Sequence, residues 1–106
     1  MENEKLVQVA MEVILHAGDA RNYIRQVGTK LTTRDFEGVE ELLKKANEEL
    51  IQAHKAQTSV LQEEASGNNV QVTVLFSHAQ DTLMTIESEN YLITTLYQCL
   101  KNMGDK

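Results

Sequence analysis

The stretch that decides the fold is Val70 to Asn102, VQVTVLFSHAQDTLMTIESENYLITTLYQCLKN. Apolar residues recur in it at steps of three and four: Val72, Phe76, Ala79, Leu83, Ile86, Ile93, Tyr97 and Leu100, with Asn90 as the polar exception. That spacing keeps one face of an α-helix apolar; a strand would repeat every second residue. A second stripe runs beside it: Val74, His78, Asp81, Thr85, Ser88, Leu92, Thr95 and Cys99. A helix that only completes a bundle has no use for a second ordered stripe. Its small residues let another helix come close, so the pattern predicts self-association about this helix, although an ordinary wide face carries the same spacing.

Two further segments precede it. From about Glu2 to Val27, the residues Leu6, Ala10, Val13, Ala17, Ala20, Ile24 and Val27 form one seam, widened by Val9, Ile14 and Tyr23. Gly18 interrupts this helix, and the expected reason is close approach of a neighbouring helix. Gly28 reads as a helix stop, with Thr32 or Thr33 as the next N-cap. From about Asp35 to Ala65, the seam is Phe36, Val39, Leu43, Ala46, Leu50, Ala53, Gln57 and Val60. Gln57 is expected to fix register through a hydrogen bond. The face bearing Glu37, Glu40, Glu41, Lys44, Lys45, Glu48 and Glu49 reads as solvated, with i,i+4 pairs. His54 stands beside the seam with no Cys or second His at ligand spacing, so it reads as a hydrogen-bonded histidine and not a metal ligand. Ser66-Gly67-Asn68-Asn69 turns the chain. The expected fold class is therefore all-α, an antiparallel up-down-up three-helix bundle. The 106 residues make one domain with helices about 2–27, 35–65 and 70–102.

Composition narrows the function. Ten basic residues against 16 acidic ones give a net charge of −6. Nucleic acid and anionic membranes both require a basic footprint, so the expected partners are proteins, with no nucleic acid and no direct membrane insertion. No apolar run approaches the roughly 20 residues of a span, and Met1-Glu2-Asn3-Glu4 does not open a signal peptide, so the expected location is cytoplasmic. Cys99, the single cysteine, fits a reducing compartment. No Gly-rich phosphate loop, CxxC pair, HExxH or Ser/His/Asp motif is present. His78 follows the almost entirely apolar run Val70 to Phe76; a lone histidine on a helix is by itself more often a hydrogen-bonded core or surface residue than a reactive one. Imidazole, with an ordinary pKa of about 6.5, keeps a nucleophilic nitrogen at neutral pH. Asp81, three residues on, lies on a neighbouring ridge of the helix.

Three motifs give these features a context. Ser77-His78-Ala79-Gln80-Asp81-Thr82-Leu83-Met84-Thr85 resembles the HxQDHLMT stretch of the lactose/cellobiose-specific EIIA family of the sugar phosphotransferase system (PTS). Ala17-Gly18-Asp19-Ala20-Arg21 resembles its AGxAR segment. Ala53 to Thr58, followed by Leu61 to Gly67, resembles its AHxxQTxxLxxEAxG stretch. The resemblance implies a homotrimer of three-helix bundles. It implies that His78 takes a phosphoryl group from the phosphocarrier HPr and passes it to a cysteine of the cognate EIIB, which serves the membrane component EIIC. The sugar would be a β-linked disaccharide of the cellobiose type. It also implies that three copies of Asp81 meet at the threefold axis and bind a structural Mg²⁺, one per trimer. The chain departs from the family at Thr82, where a second histidine is usual, and at Glu87 and Glu89, where less acidic residues are expected. Gln80 and Thr82 are candidates to hydrogen-bond the phosphoryl group. The competing reading is a non-catalytic helical oligomerisation or adaptor module in which His78 and Asp81 only set register.

Overall fold

The helical periods translate into α1 (Asn3–Leu31), α2 (Val39–Ala65) and α3 (Val74–Met103). The computed structural model describes residues 3–68, 70 and 73–103. The expectations placed on Glu2, Asn69 and Val72 lie outside those residues. The helices run up, down and up along a rod of 58 × 20 × 19 Å, with no strand among the described residues.

The seams are where the periods put them. Leu6, Ala10, Val13, Ala17, Ala20, Ile24 and Val27 of α1 are buried, and so are Val39, Leu43, Ala46, Leu50, Ala53 and Val60 of α2. From α3 come Phe76, Ala79, Leu83, Ile86 and Tyr97. Fully buried alanines on all three helices bring the backbones close. One cluster fills the end and middle around Leu83, and a second closes the far end with Val27, Leu31, Val39, Leu43 and Tyr97. Phe36 joins the second cluster, its ring edge-on to Tyr97 at 5.9 Å. α1 packs closely on both partners, while α2 and α3 splay apart around a groove of about 850 Å³.

The helix ends differ from expectation, and backbone conformation explains why. Gly28 does not stop α1; it lies within the helix, facing Ile93 of α3. The stop is Arg34, in the left-handed region at φ 56°. Asp35 N–H donates to Lys30 C=O (2.9 Å) and Arg34 N–H to Leu31 C=O (3.1 Å), the Schellman pattern normally built on glycine. The Arg34 guanidinium donates to Leu100 C=O at 3.1 Å and lies 5.3 Å from the Phe36 ring centroid, contacts that offset the strain. Thr32 and Thr33 are not N-caps, because their hydroxyls donate backwards to Thr29 and Lys30 carbonyls. α2 instead starts after Gly38, at φ 75°, which leaves Phe36 in the connection. The turn after α2 repeats the Schellman pattern on Gly67, φ 93°. α3 starts four residues later than expected, where Thr73 Oγ1 accepts from Phe76 N–H at 3.1 Å and serves as its N-cap.

Three interior expectations are also corrected. Gly18 is exposed, and a Cβ there would meet nothing within 4 Å, so no helix approaches it. Gln57 makes no register bond; its Oε1 is buried without a partner. An amide pair links α2 and α3 instead, with Asn90 Nδ2 donating to Asn47 Oδ1 at 3.1 Å. The charged face of α2 carries no i,i+4 ion pair among the described residues. Its members reach across helices instead, Glu49 to His16 and Glu40 to Lys101, with Lys45 over the Tyr23 ring.

Candidate functional site

α3 carries His78 in its second turn, just after the Thr73 cap. Phe76, Ala79 and Leu83 are buried on the opposite side of the helix and anchor it, so His78 is held outward and is exposed. Among the described residues no side chain hydrogen-bonds its ring. The other two histidines are held. His16 Nδ1 meets Glu49 Oε2 at 2.8 Å across α1 and α2, and His54 Nε2 meets Glu87 Oε2 at 2.5 Å across α2 and α3. His54 is thus the hydrogen-bonded histidine the sequence indicated.

The register of the rod fixes the surroundings of His78. Arg21 grips Glu89 with two hydrogen bonds of 3.1 and 2.9 Å, and Arg34 reaches Leu100, sequence separations of 68 and 66. His78 therefore stands level with residues 10 to 12 of α1. Arg25, Thr29 and Leu96 line the α1–α3 groove near its far end. Val7, Met11 and His78 lie five helical turns before those three residues and so share their faces. Val7 and Met11 on α1 and Val74 on α3 are exposed at the same end of the rod as His78. The α1 flank was not singled out from sequence; Arg21 in AGDAR was the available signal, since its length and charge suit a bond to α3.

Glu87 and Glu89, the unexpected acids, are spent inside the chain as partners of His54 and Arg21. Thr82 is half-buried one turn after His78, with Gln80 also half-buried nearby. Asp81 is exposed and outside every ion pair among the described residues. It shares the outward face with Thr85, Ser88, Leu92, Thr95 and Cys99, all exposed. Within one chain no group of three His, Cys, Asp or Glu side chains among the described residues stands close enough to hold a metal. A lone exposed carboxylate is one oxygen ligand, so Asp81 fits a hard divalent cation only where other copies add theirs.

An exposed imidazole on a rigid helix, with no hydrogen bond to its ring among the described residues, suits transfer between proteins better than a small-molecule reaction, which needs an enclosed pocket. Comparison with known proteins gives the family. Residues 8–101 match the family described as "PTS system, Lactose/Cellobiose specific IIA subunit". The chain is 35% identical to the PTS lactose-specific EIIA component of Streptococcus mutans, over 80% of this chain and 82% of that protein. It is also 35% identical to the lichenan-specific phosphotransferase enzyme IIA component of Bacillus subtilis, over 91% of this chain and 90% of that one. Among solved structures, PtcA from S. mutans superposes with a TM-score of 0.91 at 35% identity, covering 95% of this chain and 99% of its own. The PTS cellobiose-specific enzyme IIA of Bacillus anthracis gives 0.88 at 28% identity, covering 100% and 95%. The chain belongs to the lactose/cellobiose-specific IIA family of the phosphotransferase system.

Proposed function

We propose that this chain is the phosphohistidine carrier of a β-linked disaccharide uptake system in the cytoplasm, with cellobiose-type sugars as the cargo class. The observation that supports the assignment to His78 is its freedom: His16 and His54 are each held by a glutamate, and His78 is exposed with no hydrogen bond to its ring among the described residues. An unprotonated His78 nitrogen attacks the phosphorus of phospho-HPr. The donor imidazole leaves with the electrons of its nitrogen–phosphorus bond. A thiolate of EIIB later attacks the same phosphorus, and His78 leaves in turn. The sugar is phosphorylated downstream, on the EIIB and EIIC components. Such transfers rest on positioning and on stabilising charge spread over the phosphoryl oxygens. Gln80 and Thr82, both half-buried within one turn of His78, are the candidates to hydrogen-bond the phosphoryl group.

The same reading includes a homotrimer built about α3, whose outward face leaves Val74, Met84, Tyr91, Leu92, Leu96 and Met103 exposed. Three Asp81 carboxylates at its axis would bind one Mg²⁺, which supplies positive charge that offsets their repulsion. Reconstitution tests the carrier. With phosphoenolpyruvate, enzyme I and HPr, the chain takes up one acid-labile, base-stable phosphate per copy and loses it on addition of EIIB. An adaptor module takes up none.

A further inference from the structure

His78 and Gln80 leave α3 on opposite sides. Two residues apart on a helix, they are separated by about 200° around its axis. The two grooves show which flank each one takes. Leu96, five turns beyond His78, lines the α1–α3 groove, and Glu89 on the same side is gripped by Arg21 of α1. Gln98, five turns beyond Gln80, lines the α2–α3 groove, and Glu87 on the same side is bound by His54 of α2. A phosphoryl group on His78 therefore stands on the α1 flank. Thr82, two turns before Glu89, shares that flank. The body of α3 separates the group from the Gln80 amide of its own chain.

Between the two flanks lies the outward face that carries Asp81. Exposed apolar side chains are not confined to that face. Met11 and Leu15 are exposed on α1, and Ile51 and Tyr91 are exposed along the α2–α3 groove. When three copies close a ring about Asp81, each contact is heterologous: the α1 flank of one copy meets the α2 flank of the next. A threefold axis along α3 keeps residues of equal number level, so Gln80 of one copy stands within about 3 Å in height of His78 of its neighbour. Resting on the carrier and homotrimer reading, we propose that Gln80 acts in trans, its amide N–H donating to the phosphoryl group on His78 of the adjacent copy. Each acceptor site then takes its nucleophile and the Thr82 hydroxyl from one chain and its amide from the next. A donor fixed on a second helix stabilises charge that spreads over the phosphoryl oxygens without having to reorganise during transfer. A single chain holds only half of that site.

The test mixes chains and reads labelling by phospho-HPr. Alone, Gln80→Leu lowers kcat about tenfold or more, with KM changed less than about twofold and the assembly seen by sedimentation unchanged. His78→Ala alone takes up no label. Co-refolding Gln80→Leu with about a ninefold excess of His78→Ala surrounds nearly every intact His78 with chains that carry Gln80. The rate per intact His78 then returns to within about twofold of wild type. The same excess of the double variant His78→Ala/Gln80→Leu restores nothing. A wild-type rate for Gln80→Leu alone, no recovery with His78→Ala, or equal recovery with the double variant would each overturn the inference while leaving His78 as the acceptor. So would a wild-type chain that labels at full rate as a monomer. Absence of labelling in the wild-type chain would overturn the carrier reading and this inference with it.

Discussion

His78 is distinguished from the other two histidines by what its ring does not touch. The carboxylates of Glu49 and Glu87 orient His16 and His54 and shield one nitrogen of each. Breaking one of these part-exposed pairs costs little: Glu87→Gln is expected to lower stability by less than about 1 kcal/mol in denaturant titration and to leave labelling unchanged. His78 and Asp81 were singled out by their match to the family motif, and their exposure on α3 follows from its apolar period. The pairing of Glu87 and Glu89 was not legible in the sequence, because it depends on which helices lie side by side. Two carboxylates elsewhere in the chain are held low by their neighbours. The Tyr97 hydroxyl, then Lys101, hold Glu40 below its ordinary 4.5, and Lys30, then the Glu37 N–H, hold Asp35 below 3.8. Depressed carboxylates contribute stability above their unfolded pKa values and lose it as pH falls through the folded ones. Thermal unfolding followed from pH 7 down to pH 2 should therefore show a fall below about pH 4.5 that Glu40→Gln makes shallower. An identical profile for the variant would remove that pair from the account.

At the scale of the elements, the seams were readable because burial imposes a period on the side chains. Leu6 to Val27 and Leu83 to Ile86 lie inside as the spacing required. Leu83→Ala should cost about 2–5 kcal/mol, since Leu83 is fully buried beneath the His78 turn. The helix ends were misread where backbone dihedrals override residue type. Arg34 takes the left-handed position that glycine usually fills, and Gly28 stays helical beside Ile93. Thr32 and Thr33 looked like caps but bond back into α1, whereas Gly38, with no side chain to bond, leads into α2. Because Gly38 holds φ 75°, Gly38→Ala should lower stability by about 1–3 kcal/mol although a Cβ there would meet nothing. Unchanged unfolding of that variant would show that the connection relaxes freely.

Over the whole molecule, a single rod leaves one long face unpartnered. The outward stripe from Val74 to Cys99, singled out by its small and polar residues, is exposed along its full length, flanked by Met84, Tyr91 and Leu96. If three copies bury this face, their Asp81 carboxylates repel unless a cation or protonation relieves them. A chelator at pH 7 to 8 should then weaken the assembly seen by sedimentation, and Asp81→Leu should assemble without metal. An assembly indifferent to chelator, with Asp81→Leu falling to monomers, would give the carboxylate another role. The proposed function depends on one atom, the His78 nitrogen proposed to take the phosphoryl group. The most direct measurement is peptide mapping of the chain after labelling through enzyme I and HPr, on wild type and on His78→Ala. The account predicts one acid-labile phosphate on the peptide spanning Ser77 to Met84, and no label in a His78→Ala protein of unchanged helicity. Undiminished label in that variant, on His16 or His54, would contradict it.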